Sequence, residues 1–459
     1  MTATRGMLDV ETLERLIAED GIDTVLVAFP DLQGRLVGKR VTGHFFSDRV
    51  LADGIEACLY LLAVDVDMTP LPGYEFANWD MGYGDFVCRP DLSTLRRVPW
   101  LEKTALVLCD LEDEAGGAVE VAPRQILKRQ LERAAAAGYT VKCGSELEFY
   151  LFRDSYEEAE AKDYADLSPH AAVIQDYHIL QTTRDEYLIR AMRNGMDEAG
   201  VPVEFSKGEA GRGQHEINLR YADALEMADR HAIYKNGAKE IAGLHGRSLT
   251  FMAKYSMDEC GSSCHLHSSV WGEDGETPLM WSDDEPHHFS DVFRGWLGGL
   301  LAHSRELAWL FAPTVNSYKR YQPGSWAPTA LVWGRDNRTC GFRVVGHSPP
   351  AFRVESRVPG ADCNPYLAFA ATIAAGLHGI EHGEDPGPVF DGNAYEATDV
   401  ARVPWNIVDA INELEHSEVA AKAFGADVHR HLLNTAKQEW ASFGRVVTDW
   451  ERRRSFEQL

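Results

Sequence analysis

The sequence has no surplus of positive charge to offer a polyanion. Its 459 residues hold 45 Lys and Arg against 71 Asp and Glu, a formal net charge of −26. A surface this acidic repels phosphate backbones and anionic lipid, which sets aside nucleic acid and membrane surfaces as partners unless basic residues cluster locally. The only basic run of note, Arg452-Arg453-Arg454, is too short to count. Long apolar runs are missing too. The longest uncharged stretch, Cys363 to Ile380, is rich in Ala and Gly and opens with Asn364-Pro365, a good N-cap and N1 pair, so it reads as a buried core helix rather than a membrane span. The eight cysteines, at 58, 88, 109, 143, 260, 264, 340 and 363, lack the dense regular spacing of a disulfide framework and read as reduced thiols. Repeats and low-complexity segments are absent. The opening Met1 to Gly6 leads into a helical pattern instead of an apolar core of a signal peptide, so the expectation is a cytoplasmic protein. With 45% hydrophobic and 25% charged residues, the chain has the composition of an ordinary globular protein of two or three domains' length.

Periodicity gives a first outline. Val10 to Asp20 carries Leu13, Leu16 and Ile17 at helical spacing with Gly21 as a stop. Asp23 to Phe29 and Arg35 to Val41 are β-rich runs around a Pro-Asp-Leu-Gln-Gly loop, which suggests a small α+β unit. A Pro- and Gly-rich segment from Thr69 to Pro99 looks like a junction, and the boundary is expected near residue 105, giving units 1–105 and 106–459. Beyond it, strands are expected at 105–110, 140–152, 214–221, 264–270 and 352–358. Helices are expected at 123–137 and near 184–199, 223–243, 290–310 and 364–383, with charged-faced helices after Val403.

Four stretches have residues suited to chemistry, and each has a plainer reading. In strand Thr140 to Phe152, alternation puts Glu146 and Glu148 on one face. Two neighbouring carboxylates repel, so that face is either solvated or neutralised by a divalent cation, and hard cations such as Mg²⁺ or Mn²⁺ select carboxylate oxygens. Glu209 and Glu216 bracket a glycine-bearing loop that turns tightly enough to bring them together, or that is a surface loop with ordinary acids. In Cys264 to Ser269, His265, His267 and Ser269 share a strand face. Cys264 faces the other way, which argues against a zinc site made with its neighbour and leaves one histidine joining a carboxylate site as the easier geometry. Arg353, Glu355 and Arg357 share a face as well, either as a salt-bridge ladder or as a place where a metal meets a multiply charged anion. Arg338, Arg343 and Lys319-Arg320 add further cations.

In this order these stretches resemble the type I glutamine synthetase family over essentially the whole chain. The motifs are Asp53-Gly54 with Asp65-Val66-Asp67-Met68, Glu146-Leu147-Glu148-Phe149, Glu209 through Gly213-Gln214-His215-Glu216, Lys254 through His265-Leu266-His267, Asn316-Ser317-Tyr318-Lys319-Arg320, and Arg353 to Arg357 followed by Asn364-Pro365-Tyr366. The resemblance implies an α+β fold, with an N-terminal β-grasp domain and a catalytic domain built on a curved antiparallel sheet. It further implies a dodecamer whose active sites are shared between neighbouring subunits. By position, Glu148, Glu209 and Glu216 match the ligands of one family metal ion, and Glu146, His265 and Glu355 those of the other. Arg320, Arg357 and the Gly261 loop match the binding site of L-glutamate. Arg338, Arg343 and Arg353 match the phosphate-facing arginines, and Tyr221, His267 and Ser269 match positions near the base and sugar of ATP. Asp53 matches the proton-accepting aspartate, reaching in from a neighbouring subunit with Tyr177 beside it.

The sequence departs from the ammonia-using members where it matters for the second substrate. Six residues after the motif arginine they carry a glutamate that closes the ammonium pocket; here that residue is Trp326. An indole gives an apolar wall and a cation-π face for a larger amine. The serine three residues after the family's aspartate is Glu56, a new acid in the same neighbourhood. The expectation is an ATP- and Mg²⁺- or Mn²⁺-dependent ligase joining glutamate to an organic amine such as ethanolamine or a polyamine, in which Glu56 or Trp326 selects the amine. The alternatives are a true glutamine synthetase, which needs Glu56 or Asp67 to replace the missing acid, and a non-catalytic relative. Tyr395 stands where some members carry a regulatory adenylylated tyrosine, with a plain structural tyrosine as the other reading.

Overall fold

The computed structural model describes residues 5–322 and 324–459, so the first four residues of the opening segment lie outside it. The first helix spans Val10–Ala18, with the Asp9 carboxylate accepting from Thr12 N and with Leu13, Leu16 and Ile17 buried. Strands β1 (Thr24–Pro30) and β2 (Leu36–Thr42) form the expected hairpin. With β3 (Ile55–Cys58), β4 (Asp85–Pro90), β5 (Arg96–Arg97) and β6 (Thr104–Glu112) they make a six-stranded sheet in the order β2-β1-β6-β4-β3, with β5 also on β6. The β1–β6 pair is parallel and the others antiparallel, the mixed pattern of a β-grasp unit. This sheet runs past the boundary expected near residue 105. β6 is buried along most of its length and bonds to β1, β4 and β5, so a division there would cut the sheet's central strand; the sheet ends at Glu112.

The second sheet has nine strands: β7 (Tyr139–Phe152), β8 (Val203–Gly208), β9 (Gln214–Leu219), β10 (Ala222–Asp223), β11 (Ser248–Thr250), β12 (Cys264–Gly272), β13 (Trp333–Arg335), β14 (Phe342–Val345) and β15 (Arg353–Ser356). Its path is β13-β14-β15-β12-β7-β9-β8, with β10 and β11 also on β7. All pairs are antiparallel except β13–β14. One face of β7 packs on the helices Pro123–Ala136 and Ala224–Leu244, burying Val141, Cys143, Leu147, Phe149 and Leu151, while Glu146 and Glu148 turn to the other face. The fold class is therefore the expected α+β.

Helices Glu186–Glu198, Ala224–Leu244 and Pro365–His382 lie within a few residues of expectation. The last is buried almost throughout, and Asn364 both caps it, accepting from Tyr366 N at 3.0 Å, and donates to the carbonyls of Asp31 and Leu32 in the N-terminal unit. Among the described residues no helix is long and apolar enough to cross a membrane. The helix expected over 290–310 is two, Asp291–His303 and Ala308–Phe311. Ser304 Oγ bonds back to the Leu300 carbonyl at the break, the competition by which a hydroxyl weakens a helix. None of the eight cysteines is paired.

Candidate active site

The site is written in the register of the second sheet. Across β14 and β15 Arg343 faces Glu355, and across β15 and β12 Glu355 faces His267. His265 faces Glu146 across β12 and β7, Glu148 faces Glu216 across β7 and β9, and Glu216 faces Lys207 across β9 and β8. Antiparallel pairing sets such partners side by side, so a few short motifs far apart in sequence become one continuous row of charge. Cys264 points to the opposite face, where its thiol and His231 both meet Ser145 Oγ, which removes it from any shared site with His265.

The row brings ligating atoms together in overlapping groups. One atom each from Glu148, Glu209 and Glu216 lies within 4.8 Å of the others, and so does one each from Glu146, Glu216 and His265, and from Glu146, His267 and Glu355. His265 Nδ1 is 3.3 Å from Glu146 Oε2 and 3.6 Å from Glu355 Oε1. His267, expected only beside the nucleotide, also belongs to the carboxylates, since its Nε2 is 2.9 Å from Glu146 Oε1. The Glu209–Glu216 loop makes its tight turn through Gly213 at φ +77° and through Gly211, where a Cβ would stand 1.9 Å from Tyr150 Oη. Gln214 Nε2 then reaches Glu148 Oε2 at 3.0 Å and the Gly261 carbonyl at 3.1 Å, tying this loop to the one expected to hold glutamate.

The carboxyl groups of this row titrate in opposite directions. Burial, with the Glu209 charge added, pushes Glu148 up to about 8. Burial and the charges of Glu146 and Glu209 drive Glu216 well above the usual carboxylate range. At the other end burial also opposes ionisation, but His265 and Arg357 outweigh it and hold Glu355 at about 2. For Glu146, His267 and His265 outweigh burial in the same way and hold the carboxyl far down. Arg343 Nη1 and Arg357 Nη1 clamp the two oxygens of Glu355 at 2.8 and 2.7 Å. The Nε of each is buried without a partner, as is His265 Nε2.

Lys207, which no sequence motif singles out, joins the row from β8. It bonds to Glu209, lies 3.9 Å from Glu216 Oε1, and has its ammonium 4.8 Å from the centre of the Tyr177 ring. Burial would lower its pKa, but Glu216 and Glu209 raise it to about 12. Period-2 reading could have found it only with β8 recognised as a strand, and the mixed burial and the bulge at Val203 and Phe205 hide that pattern.

The remaining expected residues fall in three places. Tyr221, His267, Ser269 and Arg353 line a cavity of about 410 Å³ beside Glu146. Arg353 Nε donates to His267 Nδ1 at 3.1 Å, while Arg338 is exposed in the turn before β14. Arg320 is 1% exposed and has no acidic partner among the described residues; it donates to the carbonyls of Val358 and Arg357 and to Ser263 Oγ at 2.7–3.1 Å, and packs against Gly261. Trp326 is exposed, at φ +62°. Asp53 and Glu56 lie apart from the row, at the edge of the first sheet, where Asp53 pairs with Arg49 at 3.6 Å. Tyr395 turns its hydroxyl inward, where it is buried with no hydrogen-bond partner among the described residues.

A family model of the glutamine synthetase catalytic domain matches residues 120–455. The chain is 52% identical over 452 residues to gamma-glutamylethanolamide synthetase GlnA4 of Streptomyces coelicolor, covering 98% of this chain and 96% of that one. It is 37% identical to a glutamate–isopropylamine ligase of a Pseudomonas species, covering 95% of each. A solved GmaS/ADP complex superimposes with a TM-score of 0.84 at 32% identity, covering 97% of this chain and 99% of that chain. With the acid, imidazole and guanidinium row on the face where the family motifs fall, the chain belongs to the glutamine synthetase family, on its glutamate–amine ligase branch.

Proposed function

We propose that the chain uses ATP to join the γ-carboxylate of L-glutamate to a small organic amine, with ethanolamine, named in the 52% identical relative, as the leading candidate. The observation that carries this reading is the complete charged row together with Trp326 at the position of the ammonia users' glutamate. Glu148, Glu209 and Glu216 would hold one divalent cation, and Glu146, His265 and Glu355, with His267 beside them, another. The fit is supported by carboxyls that burial and mutual repulsion force towards protonation, a charge imbalance that a cation relieves. Mg²⁺ or Mn²⁺, when bound, supplies positive charge to the phosphates and to the crowded carboxylates.

The other roles follow from charge. Arg320, a buried guanidinium with no acidic partner among the described residues, and Arg357, with an idle Nε, hold the carboxylates of glutamate against the Gly261 loop. Arg338, Arg343 and Arg353 draw charge from the transferring phosphate, and Tyr221, His267 and Ser269 border the nucleotide in the cavity beside Glu146. An oxygen of the γ-carboxylate attacks the terminal phosphorus of ATP and ADP leaves; the amine then attacks the acyl carbon of γ-glutamyl phosphate and phosphate leaves. An alkylammonium with a pKa of about 10 must first give up its proton. Asp53 of a neighbouring copy takes it, beside Tyr177, in a homo-oligomer, by the family pattern a dodecamer, whose sites are shared. The position of Asp53 away from the row within one chain supports that arrangement. Trp326 and Glu56 shape the amine pocket.

The test is phosphate release with glutamate, ATP and Mg²⁺, comparing ethanolamine, putrescine, spermine and ammonium at equal concentration. Turnover with an organic amine and little with ammonium is expected. Turnover with ammonium alone identifies a true glutamine synthetase and overturns the Trp326 argument, and silence with every amine points to the non-catalytic reading.

A further inference from the structure

Away from the charged row, the C-terminal ends of two helices converge on a second set of ligating side chains. His303 ends the helix Asp291–His303, His378 lies one turn before the end of Pro365–His382, and Glu384 follows the left-handed Gly383 that caps the latter. One atom each from His303, His378 and Glu384 lies within 4.8 Å of the others. Glu384 Oε1 is 2.9 Å from His303 Nε2 and 3.1 Å from His378 Nδ1, and Glu384 Oε2 is buried without a partner. The other ring nitrogen of His303 is 2.5 Å from Glu306 Oε1, and Ser417 Oγ donates to the second oxygen of Glu306. The imidazole is thus oriented from behind by a carboxylate that is itself fixed, the arrangement that positions histidine ligands in metal sites.

The backbone holds these atoms at a set spacing. The two helices cross in backbone contact: a Cβ on Gly299 would stand 2.1 Å from the Ala375 carbonyl oxygen, and one on Gly379 2.1 Å from that of Gly295. Glu384 N bonds to Gly379 O at 2.9 Å, so the glutamate cannot drift from the crossing. Two helix C-termini add partial negative charge at the same point, which favours a cation. The donor set decides which cation: two imidazole nitrogens and one carboxylate suit Zn²⁺ and its neighbours, whereas Mg²⁺ takes oxygen.

We propose that His303, His378 and Glu384 form a transition-metal site of Zn²⁺ type, separate from the charged row, that clamps the two helix ends together. The clamp extends towards the active face. The segment after Glu384 bonds to β13, with Trp333 Nε1 donating to Gly387 O at 3.0 Å and Phe390 N to Trp333 O at 2.9 Å, and β13 pairs with the strand that carries Arg343.

Co²⁺ is the probe, because a four-coordinate Co²⁺ ion absorbs visible light far more strongly than a six-coordinate one. In the intact chain, stripped of metal and then kept in excess Mg²⁺, one equivalent of Co²⁺ per chain should give an intense visible band that Zn²⁺ abolishes. His303→Gln and His378→Gln should each weaken Co²⁺ binding more than about tenfold. Glu384→Gln keeps the shape and an accepting oxygen, so it should do the same with an unchanged circular dichroism spectrum. Glu148→Gln, in the charged row, should leave the band intact, which separates this site from the catalytic reading. Absence of the band, its survival in Glu384→Gln, or its loss in Glu148→Gln overturns the proposal.

Discussion

The two ends of the charged row use the same residue type to opposite effect. Glu148 and Glu355 are both buried glutamates on adjoining parts of one sheet face. Glu148 has Glu209 and Glu216 beside it, and its carboxyl rises to about 8. Glu355 lies between two guanidinium groups and the two histidines, and its carboxyl falls to about 2. Burial alone raises both, so the neighbours decide the sign. One end is balanced by its own side chains; at the other, the charges of Arg320 and Lys207 fall short of what burial and the neighbouring carboxylates demand.

The strongest way to break this contrast is to remove a carboxylate from the undersupplied end. Glu148→Ala should lower phosphate release from ATP, glutamate and amine by about 100-fold or more, because the charge holding a cation near the transferring phosphate is lost. Retained turnover would mean that this end is not the metal-binding end. Next in size, Lys207→Met removes the internal cation and should cost about 2 kcal/mol of stability without divalent metal. Thermal melts with and without Mg²⁺ check this, and Mg²⁺ should recover most of the loss.

Trp326→Glu lies outside both ends and should leave both intact while shifting the amine. The ratio of kcat/KM for ethanolamine to that for ammonium should drop by about tenfold, measured by phosphate release. An unchanged ratio would sink the pocket argument.

The smallest effect is on the pH dependence of melting. Glu148 is raised from 4.5 to about 8, so in the metal-free protein its contribution is fully present below about pH 4.5 and is lost as pH rises through about 8. Glu355 behaves oppositely: its contribution is present above about pH 4.5 and is lost as pH falls towards about 2. A divalent cation must displace the Glu148 proton, so the rise in Tm caused by Mg²⁺ should grow by a few degrees between about pH 6 and about pH 8.5. A pH-independent rise would show that the Glu148 end does not take the ion.

Much of this was legible locally. Alternation placed Glu146 and Glu148 on one face of β7, and it put His265 and His267 together while turning Cys264 away. The Asn364-Pro365 start and the alanine-rich run gave the buried helix Pro365–His382. Lys207 was hidden by the bulge of β8, and β6 looks like any apolar strand until its pairing with β1 is known. His303, His378 and Glu384 carry no local signal, since the crossing of two glycine-faced helices brings them together.

The sequence by itself determined which side chains share a strand face, because that depends on a two-residue period within one segment. It also carried the ordered motifs of the family. Only the tertiary structure decided which carboxylates are held ionised and which are pushed towards protonation. That follows from distances and burial set by cross-strand register between β7, β9, β12 and β15, and the energy of a charge depends on those neighbours and not on its place in the chain.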